Sequence, residues 1–445
     1  MKILFISSLY SPHIGGGAEI VLQRTAEGLQ QRGCEVSVLV TGPDAGLASD
    51  TVNGVKVYRA GLHNFYWQFG AQRPGRLARL GWHLRDRYNG AMRRYVKDVI
   101  STEQPQLVVC HNLAGWSVSV WDEITAARLP IVQVLHDMYL MCPSSNMFKR
   151  GQCCQQQCSS CQAFRKGHDV RSAQVSTVVG VSQFILDKLQ QRGYFSGAKG
   201  YVVHNASPYA PVRNGLSRQR QIDPAMRKAP LRFGYMGTLS EQKGVRWLIE
   251  QFQRLPFDAT LQIAGRGQAS DEAAFKALAT SPKISFVGYQ KPEAFYSQID
   301  VAVVPSMWNE PFGMVAVEAC AHSVPVIASR MGGLPEIIQD PLNGLLCNPS
   351  DPDSLGHAML RLHQQPDLLA RLSNEARVSV ASLLDLDLML DSYESIFAQT
   401  LLDNIASHSP MDCGRRVAGD SGASGATPVA DPSHSPASRL PRRSS

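Results

Sequence analysis

No run of about 20 apolar residues, the length a helix needs to cross a bilayer, occurs anywhere in the 445-residue sequence, so no membrane-spanning helix is expected. The opening MKILFISSLYSP is broken by Pro12 after too short an apolar stretch for a secretory leader, and a cytoplasmic location is the expectation. Net charge is also scarce: a formal +7 over this length gives no reason to expect nucleic acid as a partner. A dinucleotide-binding loop reads Gly-x-Gly-x-x-Gly, whereas the N-terminal glycines are Gly15, Gly16 and Gly17 followed by Ala18 and Glu19. That departure argues against a nicotinamide-dependent oxidoreductase. No Asp-x-Asp pair stands out as one that must hold magnesium, so no catalytic metal is required.

What is present is a globular composition, 44% hydrophobic, in a chain too long for one ordinary core. KILFIS, the glycine segment, the helical period of Ile20, Leu22, Ala26 and Leu29, and CEVSVLVTG read as strand, loop, helix and strand. LVVCHN, PIVQVLHD, VSTVVGVS and GYVVHN continue the pattern, which predicts an α/β fold with a parallel sheet covered on both faces. A polar, proline-containing stretch then interrupts it, and a second, more regular alternation follows from LRFGYMG to GLLCN. The expected organisation is a first domain over 1–207 with a cysteine-rich insertion at 142–161, a linker over 208–230 and a second domain over 231–385. An amphipathic helix over 386–403 is placed to pack on something, the first domain being one candidate, and 404–445 is expected to be a disordered C-terminal tail.

The segment VPSMWNEPFGMVAVEACAHSVPVIAS carries the strongest chemical signal. A strand ends at Pro305, Glu310 lies in the loop, Gly313 lets the backbone come close to a ligand, and the next helix presents Glu318. Free amides at a helix start bind phosphate. The arrangement suits a nucleoside diphosphate sugar: sugar hydroxyls to Glu310, diphosphate to the amides of Phe312, Gly313, Met314 and Val315, ribose to Glu318. Two solvated or salt-bridged glutamates around an ordinary helix start are the alternative.

The segment resembles the E-x7-E signature of the retaining, group 1 (family 4-like) glycosyltransferases. Other segments agree in order: GGGAE with that group's N-terminal glycine loop, LHDMYLMCP with its histidine segment, VVGVS and VVHNA with the end of its first domain, and GTLSEQKGVRWLIEQF with its lysine loop. The resemblance covers roughly 1–400. It implies a GT-B fold of two facing Rossmann-like domains, with the donor, a UDP- or GDP-sugar, held mainly by the second. It assigns Lys243 to the donor diphosphate, His136 to the sugar pocket and Gly15, Gly16 and Gly17 to the cleft. His136, Lys243 and Glu310 are the catalytic candidates, with transfer that retains anomeric configuration. In many relatives an arginine follows the glycine of the lysine loop; here it is Thr238, and Arg266 is a candidate for the missing cation. The expected acceptor is a glycan or a lipid-linked glycan. A catalytically silent partner subunit and a sugar-nucleotide epimerase on the same scaffold are the alternative readings.

Two further features stand apart. Five of the ten cysteines fall between Cys142 and Cys161, and Cys158–x2–Cys161 with Cys142 and either Cys153 or Cys154 suggests a structural zinc, against incidental thiols. Between Arg73 and Lys97 eight Arg or Lys face one Asp, and Arg76, Arg79, Trp82 and Arg85 mix basic and aromatic character, which suits peripheral contact with an anionic membrane no better than it suits a solvated helix face with its tryptophans packed on the domain.

Overall fold

The protein is described here by a computed structural model covering residues 1–70, 74–207 and 230–408. Apart from Pro230, the expected linker lies outside the described residues, as does the tail from residue 409 onward.

The first half builds an eight-stranded sheet from β1 (Lys2–Ser7), β2 (Glu35–Gly42), β3 (Leu47–Val52), β4 (Val55–Gly61), β5 (Leu107–Cys110), β6 (Ile131–Leu135), β9 (Thr177–Gly180) and β10 (Lys199–Val202). A small hairpin, β7 (Phe148–Lys149) and β8 (Gln152–Cys153), is inserted after β6. The order is β10-β9-β6-β5-β1-β2-β4-β3, with only β3 antiparallel. β1, β5 and β6 are near-continuous runs of Ile, Leu and Val, buried along their length, as strands covered on both faces must be. The β3–β4 hairpin was not expected. Its turn, Asn53-Gly54, has φ of 51° and 84°, and Asn-Gly is the pair that tolerates two positive φ values in a tight hairpin.

The second half forms a six-stranded, all-parallel sheet from β11 (Leu231–Met236), β12 (Ala259–Ala264), β13 (Ile284–Gly288), β14 (Val301–Val304), β15 (Val326–Ser329) and β16 (Gly344–Cys347), in the order β13-β12-β11-β14-β15-β16. In each sheet the chain reverses its direction of winding beside the first strand: β1 lies between β2 and β5, β11 between β12 and β14. Ligands of open α/β sheets bind in the crevice beyond the carboxyl ends of strands at such a reversal. The loops after β1, β11 and β14 are therefore where binding residues belong.

Helix Leu386–His408 runs past the expected end at 403 and packs on the first half. Arg32 pairs with Asp387, Asp391 and Glu394 of this helix, Thr400 Oγ1 lies 2.8 Å from Thr177 Oγ1, and Lys199 pairs with Asp403 at 2.6 Å.

Candidate active site

Between the halves lies a cleft of about 270 Å³, lined from the first by Gly17, Ala18, His136, Asp137, Val181 and Asn205 and from the second by Tyr235, Lys243, Ser306, Trp308 and Glu310 through Val315. Two helix starts meet across it. Gly17 opens helix Gly17–Gln31 and Met314 opens helix Met314–Ala321, and a Cβ added at Gly17 would sit 3.8 Å from Met314 Cγ. Gly313 precedes the second helix with φ +119°, a backbone open to glycine, and a Cβ there would run into Leu334. The unpaired amides of both helices give this cleft a positive field suited to a polyanion.

Lys243, beyond β11, sends Nζ to within 2.6 Å of Glu310 Oε1, and Ser306 Oγ donates to the same oxygen at 2.7 Å. Gly244 after the lysine has φ +74°, and any Cβ would strike the Pro305 carbonyl, so the lysine loop can lie against the strand-end loop only with glycine here. The ammonium also lies 5.2 Å from the Trp308 ring centre. Two buried polar atoms at the cleft, Asn205 Oδ1 and Trp308 Nε1, have no hydrogen-bond partner among the described residues. Buried polar groups rarely go unpaired, so both are open to a bound ligand or water.

On the opposite wall His136 Nε2 lies 2.8 Å from His111 Nδ1. Burial drives the His136 imidazole down to about 4 and His111 well below its ordinary value, so at neutral pH the pair is uncharged and His136 offers a hydrogen bond rather than a cation. Burial lifts the Asp137 carboxyl to about 6, against the hydrogen bond that Tyr139 N donates to it at 2.7 Å. The side chain of Tyr235 is also pushed up, first by burial and then by the Glu310 carboxylate.

Residues 230–365 match the family "Glycosyl transferases group 1", and residues 16–206 match "Glycosyl transferase 4-like domain". The chain belongs to the group 1, family 4-like glycosyltransferases. It is 28% identical to a 42.6 kDa protein of the cps region of Klebsiella pneumoniae over 339 residues, 76% of this chain and 87% of that one. An uncharacterised glycosyltransferase of Methanocaldococcus jannaschii is 26% identical over 396 residues, 85% and 93% of the two chains. Among solved structures, sucrose-phosphate synthase from Thermosynechococcus elongatus superposes with a TM-score of 0.69 at 18% identity, covering 90% of this chain and 99% of that one. Anabaena HepE in complex with UDP and glucose gives 0.65 at 20%, covering 90% and 100%. At these identities the structures establish the GT-B fold, two α/β domains with parallel sheets facing one cleft.

Within this glycosyltransferase, Gly17, His136, Lys243, Glu310, Phe312, Gly313, Met314 and Val315 share the cleft. Gly15 and Gly16 stand just outside its lining, near the Glu19 carboxylate. Thr238 and Arg266 are exposed and do not line it. Glu318 is half-buried one turn into its helix, outside the lining, and its carboxylate has no hydrogen-bond partner among the described residues. Burial, with Glu293 adding to it, raises Glu318 to about 7. Asn205, Ser306 and Trp308 were not anticipated. Asn205 and Ser306 stand a few residues past the ends of β10 and β14, where the fold rule alone would have pointed.

Of the candidate zinc ligands, Cys142, Cys154, Cys158 and Cys161 stand near one another and Cys153 does not join them. Cys158 Sγ and Cys161 Sγ lie 3.5 Å apart, but Cys153 Sγ points across the cleft to the Met307 carbonyl at 3.4 Å. Cys153 and Cys154 are adjacent in extended chain, so their side chains diverge, and Cys154 is the one turned toward Cys142 and Cys158. Among the described residues no group of three or more His, Cys, Asp or Glu side chains is placed to hold a metal ion. Trp82 is likewise buried rather than interfacial, its indole N–H bonded to the Tyr66 carbonyl at 3.1 Å.

Proposed function

We propose that this glycosyltransferase takes a UDP- or GDP-sugar as donor and transfers the sugar, with retention of configuration, to a glycan or lipid-linked glycan acceptor. The observation that carries the reading is the pairing of Lys243 with Glu310 beneath two converging helix starts. A single flexible cation held by a carboxylate, with free amides beside it, is a site waiting for a more highly charged anion.

In this reading the donor diphosphate lies over the start of helix Met314–Ala321 and draws Lys243 away from Glu310. The freed Glu310 carboxylate accepts hydrogen bonds from sugar hydroxyls, Glu318 accepts from the ribose, and neutral His136 faces the sugar from the other domain. During transfer the bond between the anomeric carbon and the diphosphate oxygen breaks, and the acceptor oxygen bonds to the same carbon on the same face. The acceptor hydroxyl proton leaves with the diphosphate. Lys243 and the helix amides stabilise the charge that gathers on the leaving oxygen, without a metal step.

Calorimetric titration of UDP-, GDP- and ADP-sugars into the wild type and Glu318→Ala tests this. One UDP or GDP class is expected to bind and to lose affinity by about tenfold or more in the variant, the effect of one charged hydrogen-bond partner. Binding of none of them to folded protein contradicts the proposal.

A further inference from the structure

The helix Arg76–Arg87 is attached by one face and leaves the other unpartnered. Trp82 and Asp86 turn inward; Asp86, the helix's one acid, is fully buried against Arg165 and the Gly115 amide. Outward stand Leu77, Leu80 and Leu84, 85%, 47% and 57% exposed, at the spacing of a single stripe. Arg76 and Arg87 fall on one flank of the stripe and Arg85 on the other, at 100° per residue. Beside Leu84 and Arg87 a basin of about 470 Å³ also takes in Lys166 and Arg171. Arg171 is already committed to Asp122 at 2.6 Å, whereas Arg76, Arg85, Arg87 and Lys166 form no salt bridge among the described residues. Phe65, 65% exposed, packs against Gly81 at the edge of the stripe. From there the chain continues to Trp67 and Phe69, whose rings meet at 5.7 Å, and Trp67 meets His13 at 5.3 Å, four residues before Gly17 in the cleft.

We infer that this face docks on an anionic lipid surface, with the leucines among the acyl chains and the arginines at the headgroup phosphates. Charge decides the occupant. An apolar stripe flanked on both sides by unpaired cations matches a layer that is apolar below and anionic above, and two copies of this face would oppose like charges. No helix among the described residues is long and apolar enough to cross a membrane, so the contact is peripheral. The aromatic band from Phe65 to His13 then places the cleft mouth near that surface, where a lipid-linked acceptor would be met. This last step rests on the proposed function; the docking itself does not.

Co-sedimentation of the full chain with phosphatidylcholine vesicles, with and without phosphatidylglycerol, provides the test. Binding is expected to anionic vesicles and to fall about tenfold or more in Leu77→Ser/Leu80→Ser/Leu84→Ser and in Arg76→Gln/Arg85→Gln/Arg87→Gln, with nucleotide binding unchanged in both. All six side chains except Arg87 are exposed, and the unchanged nucleotide affinity reports that each variant is folded. Failure to bind anionic vesicles, equal binding by the variants, or a concentration-dependent dimer that the leucine variant abolishes would each overturn the inference. Loss of donor binding in the wild type would instead strike the proposed function and leave the vesicle result standing.

Discussion

Lys243 and Glu310, 67 residues apart in sequence, meet with Nζ 2.6 Å from Oε1, and the meeting joins two loops that follow neighbouring strands of the second sheet. Glu310 is almost fully enclosed, and Ser306 is its other hydrogen-bond donor. Without a ligand the lysine holds this carboxylate in place; with one, it has a competing anion.

Lys243→Met therefore acts on stability as well as on binding. Leaving a buried carboxylate short of its cation is expected to cost ~1–3 kcal/mol in denaturant unfolding. Lys243→Met/Glu310→Gln should recover part of that loss, and a double-mutant cycle measures the coupling. Strictly additive losses would mean that the pair contributes nothing.

Glu318 gives a pH signature. Its carboxyl is raised from 4.5 to about 7 by burial, so the folded state holds a proton that the unfolded state releases. Stability from this group is then present below about 4.5 and declines as pH rises toward 7, by on the order of 1 to 3 kcal/mol. Glu318→Gln should flatten that decline. A ribose donating hydrogen bonds favours the ionised carboxylate, so donor affinity is expected to increase across the same window in the wild type and not in the variant, as read by calorimetry at several pH values.

Glu336 spans the cleft. Its carboxylate accepts from the Gln183 and Phe184 amides at 2.8 and 2.9 Å and lies 3.0 Å from His204 Nε2, while the His204 and Phe312 rings stack 5.2 Å apart. Burial alone would raise this carboxyl; the bonds from His204 and the two amides bring it below its ordinary value. Glu336→Ala removes the one side chain, among the described residues, that caps helix Gln183–Gln190 from the opposite domain. A larger radius of gyration in solution scattering, with a raised KM for donor, is expected; an unchanged radius would show that the remaining contacts suffice.

His136→Ala should lower kcat more than it weakens nucleotide binding, since the imidazole stands on the wall opposite Lys243 and is uncharged. Its pH profile should show no histidine ionisation between about 6 and 7, because burial holds His136 near 4. An inflection there that vanishes in the variant would contradict the assignment of a neutral imidazole.

Much of this was legible in the sequence because the physics was local. Runs such as LVVC and VAVV can only be strands covered on both faces, and Gly313 before an apolar helix marks a close approach. Lys243 and Glu310 were each visible as residues of strand-end loops, but their pairing depends on β11 and β14 being neighbours, a sheet order that no local pattern fixes. The same limit hid Asn205 and Trp308, whose unpaired polar atoms are evident only once their surroundings are known. The two readings of Trp82, packed or interfacial, stayed open because composition does not record which way a helix turns its faces, and Cys153 stands apart because alternation in extended chain sends it away from Cys154. The Asn53-Gly54 hairpin, by contrast, was written locally and was overlooked.

In the proposed function Lys243 exchanges Glu310 for the donor's diphosphate. Calorimetry of the matching nucleoside diphosphate and nucleoside against wild type and Lys243→Met tests it most directly. The variant is expected to lose about 10- to 100-fold in affinity for the diphosphate, the scale of a charge-assisted hydrogen bond, and little for the nucleoside. Equal diphosphate affinity in the two proteins would contradict it.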